Sequence, residues 1–300
     1  FKRKIKYLNY AFVNNLISNT SCCFNDYRPY PHSHVEYYGP WVENCFYIFY
    51  LLKRKNHTIP KDLIYLPIFW TDLNRETTDW DKLFKLIASQ YGRTSKFFTV
   101  CQHDSGLPGP INKLDVVTFT PNTSGDNCIP LLKGDCLPYE NRLCRNRKYK
   151  LNFMGSIQRS NDYNNIRSKA IQACKNLNGF IHGNKHYYES CHIIANSLFT
   201  LCPRGFGPTS FRLYEALMLG SIPIYIWDEI KCLPYEDEVN WCDFCIVLHA
   251  SELESIPNIL ESISQQRLND YQSSAQKFVN KYLSYDKICK RIMKKLNNRL

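Results

Sequence analysis

Apolar runs alternate with stretches of helical periodicity along this 300-residue chain. Trp41–Lys53 (WVENCFYIFYLLK) is apolar at helical spacing and predicts a helix, whereas Asp62–Trp70 is a short continuous apolar run and predicts a strand. Trp80–Tyr91 repeats apolar residues at Leu83, Phe84, Leu86 and Ile87, again a helix. Lys96–Cys101 reads as a strand ending at Gln102-His103-Asp104, and Val116–Thr120 as another. Asn141–Lys150 is charged and short of apolar residues, a linker pattern. Beyond it come a strand at Leu151–Met154 with a Gly155-Ser156 turn, a helix over Ile166–Leu177 with Arg167 near its start, a short strand at Phe180–Ile181 and a helix at Tyr187–Ala195. Further on, Phe244–Leu248 predicts a strand, Ile256–Ile263 a helix, and Asp270–Leu300 one or two basic helices. Strands alternating with helices indicate an α/β protein. The expected division is residues 1–147, residues 148–270, and a basic helical segment 271–300 that packs back on the first. A single doubly wound sheet with an irregular N-terminal extension is the other architecture this pattern allows.

One stretch organises the second half: Ser197–Glu229, SLFTLCPRGFGPTSFRLYEALMLGSIPIYIWDE. It reads strand, loop, helix, strand. Pro203-Arg204-Gly205-Phe206-Gly207-Pro208 cannot continue a strand. Thr209 or Ser210 can cap the helix that follows, and Gly220 sits where a left-handed C-terminal cap is expected. Parallel strands joined by a helix place ligands beyond their carboxyl ends, so Arg204–Ser210 and Asp228-Glu229 should face one crevice. Glycines permit close backbone approach, and a helix N-terminus offers N–H groups to an anion. Arg204 and Arg212 add forked positive charge suited to phosphate. Glu215, three residues after Arg212 on the same helical face, is expected to point outward and accept hydrogen bonds from ribose hydroxyls. An ordinary βαβ unit with a surface Arg–Glu pair fits the same spacing.

Composition changes the picture modestly. With 44% hydrophobic and 14% aromatic residues, the chain can build a substantial core. No apolar run reaches the roughly 18–20 residues that span a bilayer. The chain starts at Phe1 rather than Met, which leaves room for an upstream anchor or leader. The formal charge of +11 suits a partner bearing phosphates or carboxylates, although much of the excess lies in Lys2–Lys6 and Lys287–Arg299 and fits a solvated surface equally well. The 14 cysteines form no short disulfide framework, and Cys242-Asp-Phe-Cys245 has no second pair in register. Sequons at Asn19, Asn56 and Asn122 do not locate the protein, and the expectation is a reducing, cytoplasmic compartment.

The stretch PRGFGPTSFRLYEALMLGSIPIYIWDE resembles the signature of the exostosin family, glycosyltransferase family 47. That family has a Pro-Arg-Gly loop, a Ser-Phe-Arg-x-x-Glu-Ala helix start and a Gly-x-Ile-Pro-Val strand; here Ile224 replaces the valine. LNFMGS at Leu151–Ser156 and CLPYEDEVNWCDFCIVL at Cys232–Leu248 extend the resemblance, which is strong over Leu151–Ile263. It is thin before that, where TVCQHDSG (Thr99–Gly106) and DLIYLPIFW (Asp62–Trp70) are similar to family segments. The resemblance implies two Rossmann-like domains facing a cleft (the GT-B type), with residues 148–270 binding a nucleotide-sugar donor. It implies inverting transfer from a UDP-sugar (xylose, galactose, glucuronate, arabinose or N-acetylglucosamine) to a glycan hydroxyl, with no cofactor or metal. Small size is similar to exostosin-like enzymes of large algal viruses, some of which transfer xylose, which would place the protein in a host cytoplasm rather than the Golgi lumen.

On this reading Arg204, Gly205, Gly207, Thr209, Ser210 and Arg212 hold the diphosphate, with Gly155, Ser156 and Arg159 on the facing loop, Glu215 on the ribose, and Asp228 at the crevice. The acceptor base should come from the first unit, within hydrogen-bond reach of the hydroxyl. Asp104 beside His103 is the best placed; Asp72 and Glu36 are runners-up, and capping of the next turn is the other role open to Asp104. Asp79-Trp80-Asp81 precedes a helix and follows no strand, which disfavours a metal role. His182, His186 and His192 have an interrupting Gly183, so one helix cannot present the first two. The partners expected are a UDP-sugar and an oligosaccharide or glycoprotein glycan, not nucleic acid, and no membrane span. The rival is a non-catalytic polyanion- or nucleic-acid-binding module, which would interleave cations with exposed aromatics along one face.

Overall fold

The computed structural model describes residues 41–53, 63–68, 70–73, 80–92, 95–103, 106–107, 114–122, 127–133, 147–157 and 165–298. In chain order the main elements are α1 (Trp41–Lys53), β1 (Leu63–Tyr65), α2 (Trp70–Leu73), α3 (Trp80–Tyr91), β2 (Lys96–Val100), β3 (Asp115–Phe119), β4 (Tyr149–Met154), α4 (Ile166–Cys174) and β5 (Phe180–Gly183). They continue with α5 (Tyr187–Ala195), β6 (Ser197–Pro203), α6 (Phe211–Met218), β7 (Ile222–Trp227), β8 (Ile246–His249), α7 (Ile256–Ser262), α8 (Gln265–Tyr282) and α9 (Tyr285–Asn297). The class is α/β, as the alternating pattern implies, with one parallel sheet in each of two compact units. The first unit is residues 1–121 with 285–300, and the second is residues 122–284. Compactness thus divides the chain at Pro121 and again after Ser284, which leaves α8 with the second unit and α9 with the first.

In the first unit the described sheet has the order β1-β2-β3, all parallel. Val42, Phe46 and Tyr50, four residues apart, form the buried stripe of α1. Phe46 meets Tyr65 edge-on at 5.4 Å between centroids. The stripe of α9 is Ile288, Cys289, Ile292, Met293 and Leu296, and it packs on α1. The apolar run expected as one strand over Asp62–Trp70 is a strand only to Tyr65. Pro67 lacks an N–H for a ladder, and Trp70 opens α2, where its Nε1 donates to Thr99 Oγ1 at 2.7 Å. Periodicity cannot tell a buried connection from a strand in so short a run.

The second unit holds five parallel strands in the order β5-β4-β6-β7-β8. They read as near-continuous apolar runs because helices cover both faces of such sheets. After β5 the chain crosses to the other side of β4 to lay down β6, so the strand order reverses between β4 and β6. Ligands of open α/β sheets sit beyond the carboxyl ends at such a reversal. Pro223 lies in β7 one residue before the β8 ladder begins at Ile224, where the strand has a partner on one side only. Gly220 closes α6 with φ +75°, the left-handed cap. Helix α8 begins at Gln265, earlier than the basic run suggested, because Ser264 Oγ caps it by accepting from Arg267 N at 3.2 Å. Among the described residues no helix is long and apolar enough to cross a membrane.

Candidate functional site

Every loop at the carboxyl edge of the second sheet carries a polar group. Gly155-Ser156 follows β4, Arg204 follows β6, Asp228 follows β7, and His249 ends β8. The β6–α6 turn closes on itself, with Gly205 N donating to Thr209 O at 2.7 Å. Gly205 and Gly207 are buried, and neither has positive φ, so the turn does not use the left-handed freedom of glycine there. Gly155 does, with φ +156°, and a Cβ placed on it would lie 3.9 Å from Arg212 Nη2. The end of the Arg212 side chain therefore sits beside the Gly155 backbone.

Two ion pairs define the electrostatics. Arg204 Nη1 is 3.0 Å from Asp228 Oδ2 and 3.7 Å from Glu229 Oε2. Arg212 Nη1 is 2.8 Å from Glu215 Oε2. Glu215 is only 5% exposed, which corrects the expectation of an outward carboxylate: it lies across the helix from Leu213, Ala216 and Leu217, and five consecutive residues of α6, Leu213 to Leu217, are buried, so the helix is covered on that side too. Each arginine is thus held in place by a carboxylate, and an incoming anion must share it. Charge-assisted pairs of this kind fix side-chain direction. Burial holds the Cys202 thiol of β6 and the Tyr214 phenol of α6 well above their ordinary values. Ser210 occupies the N-cap of α6 with extended backbone, and its hydroxyl makes no capping bond and has no hydrogen-bond partner among the described residues. His249 braces the rim, its Nε2 lying 3.1 Å from Asp228 O and its Nδ1 2.8 Å from Ser251 Oγ.

The sequence pattern missed one participant. Arg167, in the first turn of α4 and 6% exposed, reaches under the edge and donates to Ser156 O and Arg204 O. Arg204, Gly205, Gly207, Thr209, Ser210, Arg212, Glu215 and Asp228 all belong to one loop–helix–strand end of this sheet, and Gly155 meets Arg212 across it. Arg159, Asp104, Asp79 and Glu36 lie outside the described residues, as does the Asp72 side chain. In the first unit His103 follows β2, and its backbone O accepts from Gly106 N at 2.9 Å. Just before it, the buried Glu43 carboxylate accepts from Gln102 N at 2.7 Å and from Thr71 Oγ1 at 2.7 Å. Glu43 was also missed, since in α1 it reads as an ordinary first-turn acid. Among the described residues no three His, Cys, Asp or Glu side chains cluster to hold a metal.

Residues 128–263 match the family model described as the exostosin GT47 domain. That stretch makes up most of the second unit, which is thus similar to an exostosin GT47 domain. Over 118 residues the chain is 32% identical to the exostosin-1 homolog of Caenorhabditis elegans, covering 38% of this chain and 31% of that protein. A probable glucuronoxylan glucuronosyltransferase of Arabidopsis thaliana is 35% identical over 83 residues, 28% of this chain and 18% of that one. A probable β-1,4-xylosyltransferase of the same plant is 38% identical over 77 residues, 26% and 18%. The chain therefore spans less than a third of the length of these relatives. Among solved structures, a glycosyltransferase from Rickettsia africae superposes with a TM-score of 0.46 at 10% identity, over 90% of this chain and 84% of that one, too loose a likeness to argue from. The exostosin GT47 match includes every donor-site residue assigned from sequence and leaves out His103 and Asp104.

Proposed function

We propose that this protein is an inverting glycosyltransferase that moves a sugar from a UDP-sugar to a glycan hydroxyl and forms a β-linkage. The observation that carries the reading is the Arg204–Glu215 turn and helix of the exostosin GT47 domain, set at the strand reversal with two ion-paired arginines beside a glycine loop. In this proposal Arg204 and Arg212 share the diphosphate with the Ser210 hydroxyl and the first turn of α6, while Gly155, Ser156 and Arg159 close the other side. Glu215 and Asp228 orient the arginines, and Glu215 also accepts from the ribose. As the sugar bond breaks, negative charge grows on the diphosphate, where fixed cations and helix N–H groups stabilise it. That is the basis for proposing metal-independent transfer. Asp104, oriented by His103, is proposed as the base that takes the acceptor proton.

The relatives named for glucuronosyl and xylosyl transfer make UDP-glucuronate and UDP-xylose the first donors to test. The experiment is a panel of UDP-sugars scored for hydrolysis and transfer, with product anomericity read by NMR, with and without EDTA. A β-configured product that persists in EDTA is expected. Absence of turnover with every donor, together with a melting temperature raised by DNA and not by UDP, would replace this reading with the polyanion-binding one, since a ligand stabilises only the state it binds.

A further inference from the structure

We propose that Arg167 is a positioning residue that locks the Gly155–Ile157 loop to the Arg204–Gly205 turn and so fixes the width of the diphosphate cradle. The proposal rests on the diphosphate reading of that cradle. Arg167 Nε and Nη2 both donate to Arg204 O, at 3.1 and 2.8 Å, while Nη1 donates to Ser156 O at 2.7 Å. One planar fork therefore grips two backbone carbonyls from the loops that follow β4 and β6, the two strands that flank the reversal in strand order. A guanidinium can do this because its donors diverge in a rigid plane; an ammonium is a point charge on a flexible stem.

The grip also orients the loops. A trans peptide points its C=O and N–H in opposite directions. With Ser156 O drawn toward Arg167, the Ile157 N–H turns away from it. With Arg204 O drawn the same way, the Gly205 N–H turns toward Thr209 O, which accepts it. The β6–α6 turn is thus braced on both edges of one peptide. A neutral amide side chain carries two N–H donors, too few for the three bonds that Arg167 makes to the two carbonyls, so the tie depends on the guanidinium fork.

The test compares Arg167→Ala, Arg167→Lys and Arg212→Ala with the unaltered chain, by calorimetry with UDP and with uridine and by initial rates. Both Arg167 variants should bind UDP more weakly by about tenfold or more and turn over about 10²-fold more slowly, the scale of a small misplacement of a reacting group. Uridine affinity should hold, and low millimolar guanidinium should partly restore Arg167→Ala. A merely structural role would lower the melting temperature and weaken UDP and uridine alike, which overturns the proposal. UDP affinity within twofold of normal in both Arg167 variants, with Arg212→Ala impaired, overturns the latch and leaves the diphosphate reading standing. If Arg212→Ala also keeps its UDP affinity, the diphosphate reading falls and the latch with it. Failure of both Arg167 variants to fold would assign the residue to folding and overturn the proposal too.

Discussion

Two arginines tie backbone carbonyls at opposite ends of the same five-stranded sheet. At the amino end Arg147, just before β4, donates through Nη2 to Gly220 O at 2.8 Å and through Nη1 to Ala195 O, joining the starts of β6 and β7. At the carboxyl end Arg167 joins the ends of β4 and β6 through Ser156 O and Arg204 O. The chemistry is the same, but the surroundings differ. The carboxyl end adds two further arginines, each on a carboxylate, a cap hydroxyl without a partner among the described residues, and a strand reversal. The amino end adds a half-buried groove of about 510 Å³, lined by Lys148, Tyr149, Lys150, Leu198, Leu260 and Leu268 among others. Backbone tethering alone therefore does not mark a site. What marks it is tethering combined with polar groups held ready and with the topology that opens a crevice.

The comparison predicts a separation of effects, and the largest falls at the carboxyl end. If the proposed donor site is right, Arg212→Ala removes a cation from where charge develops as the donor bond breaks. Turnover should fall by about 10²–10³-fold, the usual loss when one such stabilising group goes, and UDP affinity should fall with it. The variant also strands the buried Glu215 carboxylate, so a Tm measurement must accompany the kinetics. Full turnover and normal UDP affinity in a folded Arg212→Ala protein would place the donor elsewhere.

Next is Arg147→Ala, at the amino end. It leaves two backbone carbonyls without their guanidinium partner, and such an orphaned acceptor costs roughly 1–3 kcal/mol. The loss should appear as a lower urea midpoint with unchanged m-value. UDP affinity should not move. A drop in UDP affinity at constant stability would show that the two ends of the sheet are coupled, and the separation drawn here would fail.

How far the sequence foretold these ends depends on what each side chain does. The turn from Arg204 to Pro208, the helix from Phe211 and the cap at Gly220 were legible because proline, glycine and periodicity act locally, although Pro203, expected to end the strand, still pairs with Ile226 as the last residue of β6. So was Tyr187–Ala195, which the helical pattern bounds as the structure does. Arg204 and Arg212 were legible as residues, but not their partners. Nothing local says that Glu215 faces inward, since i,i+3 spacing fixes a neighbour and not a direction relative to the sheet. Arg167 and Glu43 were illegible for a further reason: each acts on backbone groups contributed by elements tens of residues away. Arg167 looks like an ordinary first-turn cation, and Glu43 like an ordinary first-turn acid. Their roles exist only once the sheets have brought those carbonyls and amides to them.

The smallest effect predicted is a pair of glycine substitutions that sets the two ends side by side. Gly155 and Gly220 both have positive φ, at +156° and +75°. Alanine at either should store on the order of 1–2 kcal/mol of backbone strain. The spaces around them differ. A Cβ on Gly155 would meet Phe153 Cζ at 3.7 Å and Arg212 Nη2 at 3.9 Å, ordinary contact distances, so no neighbour need move. A Cβ on Gly220 would sit 2.9 Å from Arg147 Nη2, which must then shift and loosen its bond to Gly220 O. Gly155→Ala should therefore weaken UDP binding by relaxing the loop that Arg167 and Arg212 border, with only the strain appearing in stability. Gly220→Ala should lower stability by the strain plus part of the Arg147 contribution, and leave UDP binding alone. A double variant, Gly220→Ala with Arg147→Ala, should be less destabilised than the sum of the singles, because the clash disappears with the guanidinium. Strict additivity in that cycle would mean that Arg147 and Gly220 do not share the contact. Equal loss of UDP affinity in Gly155→Ala and Gly220→Ala would mean that the carboxyl end has no privileged relation to the ligand.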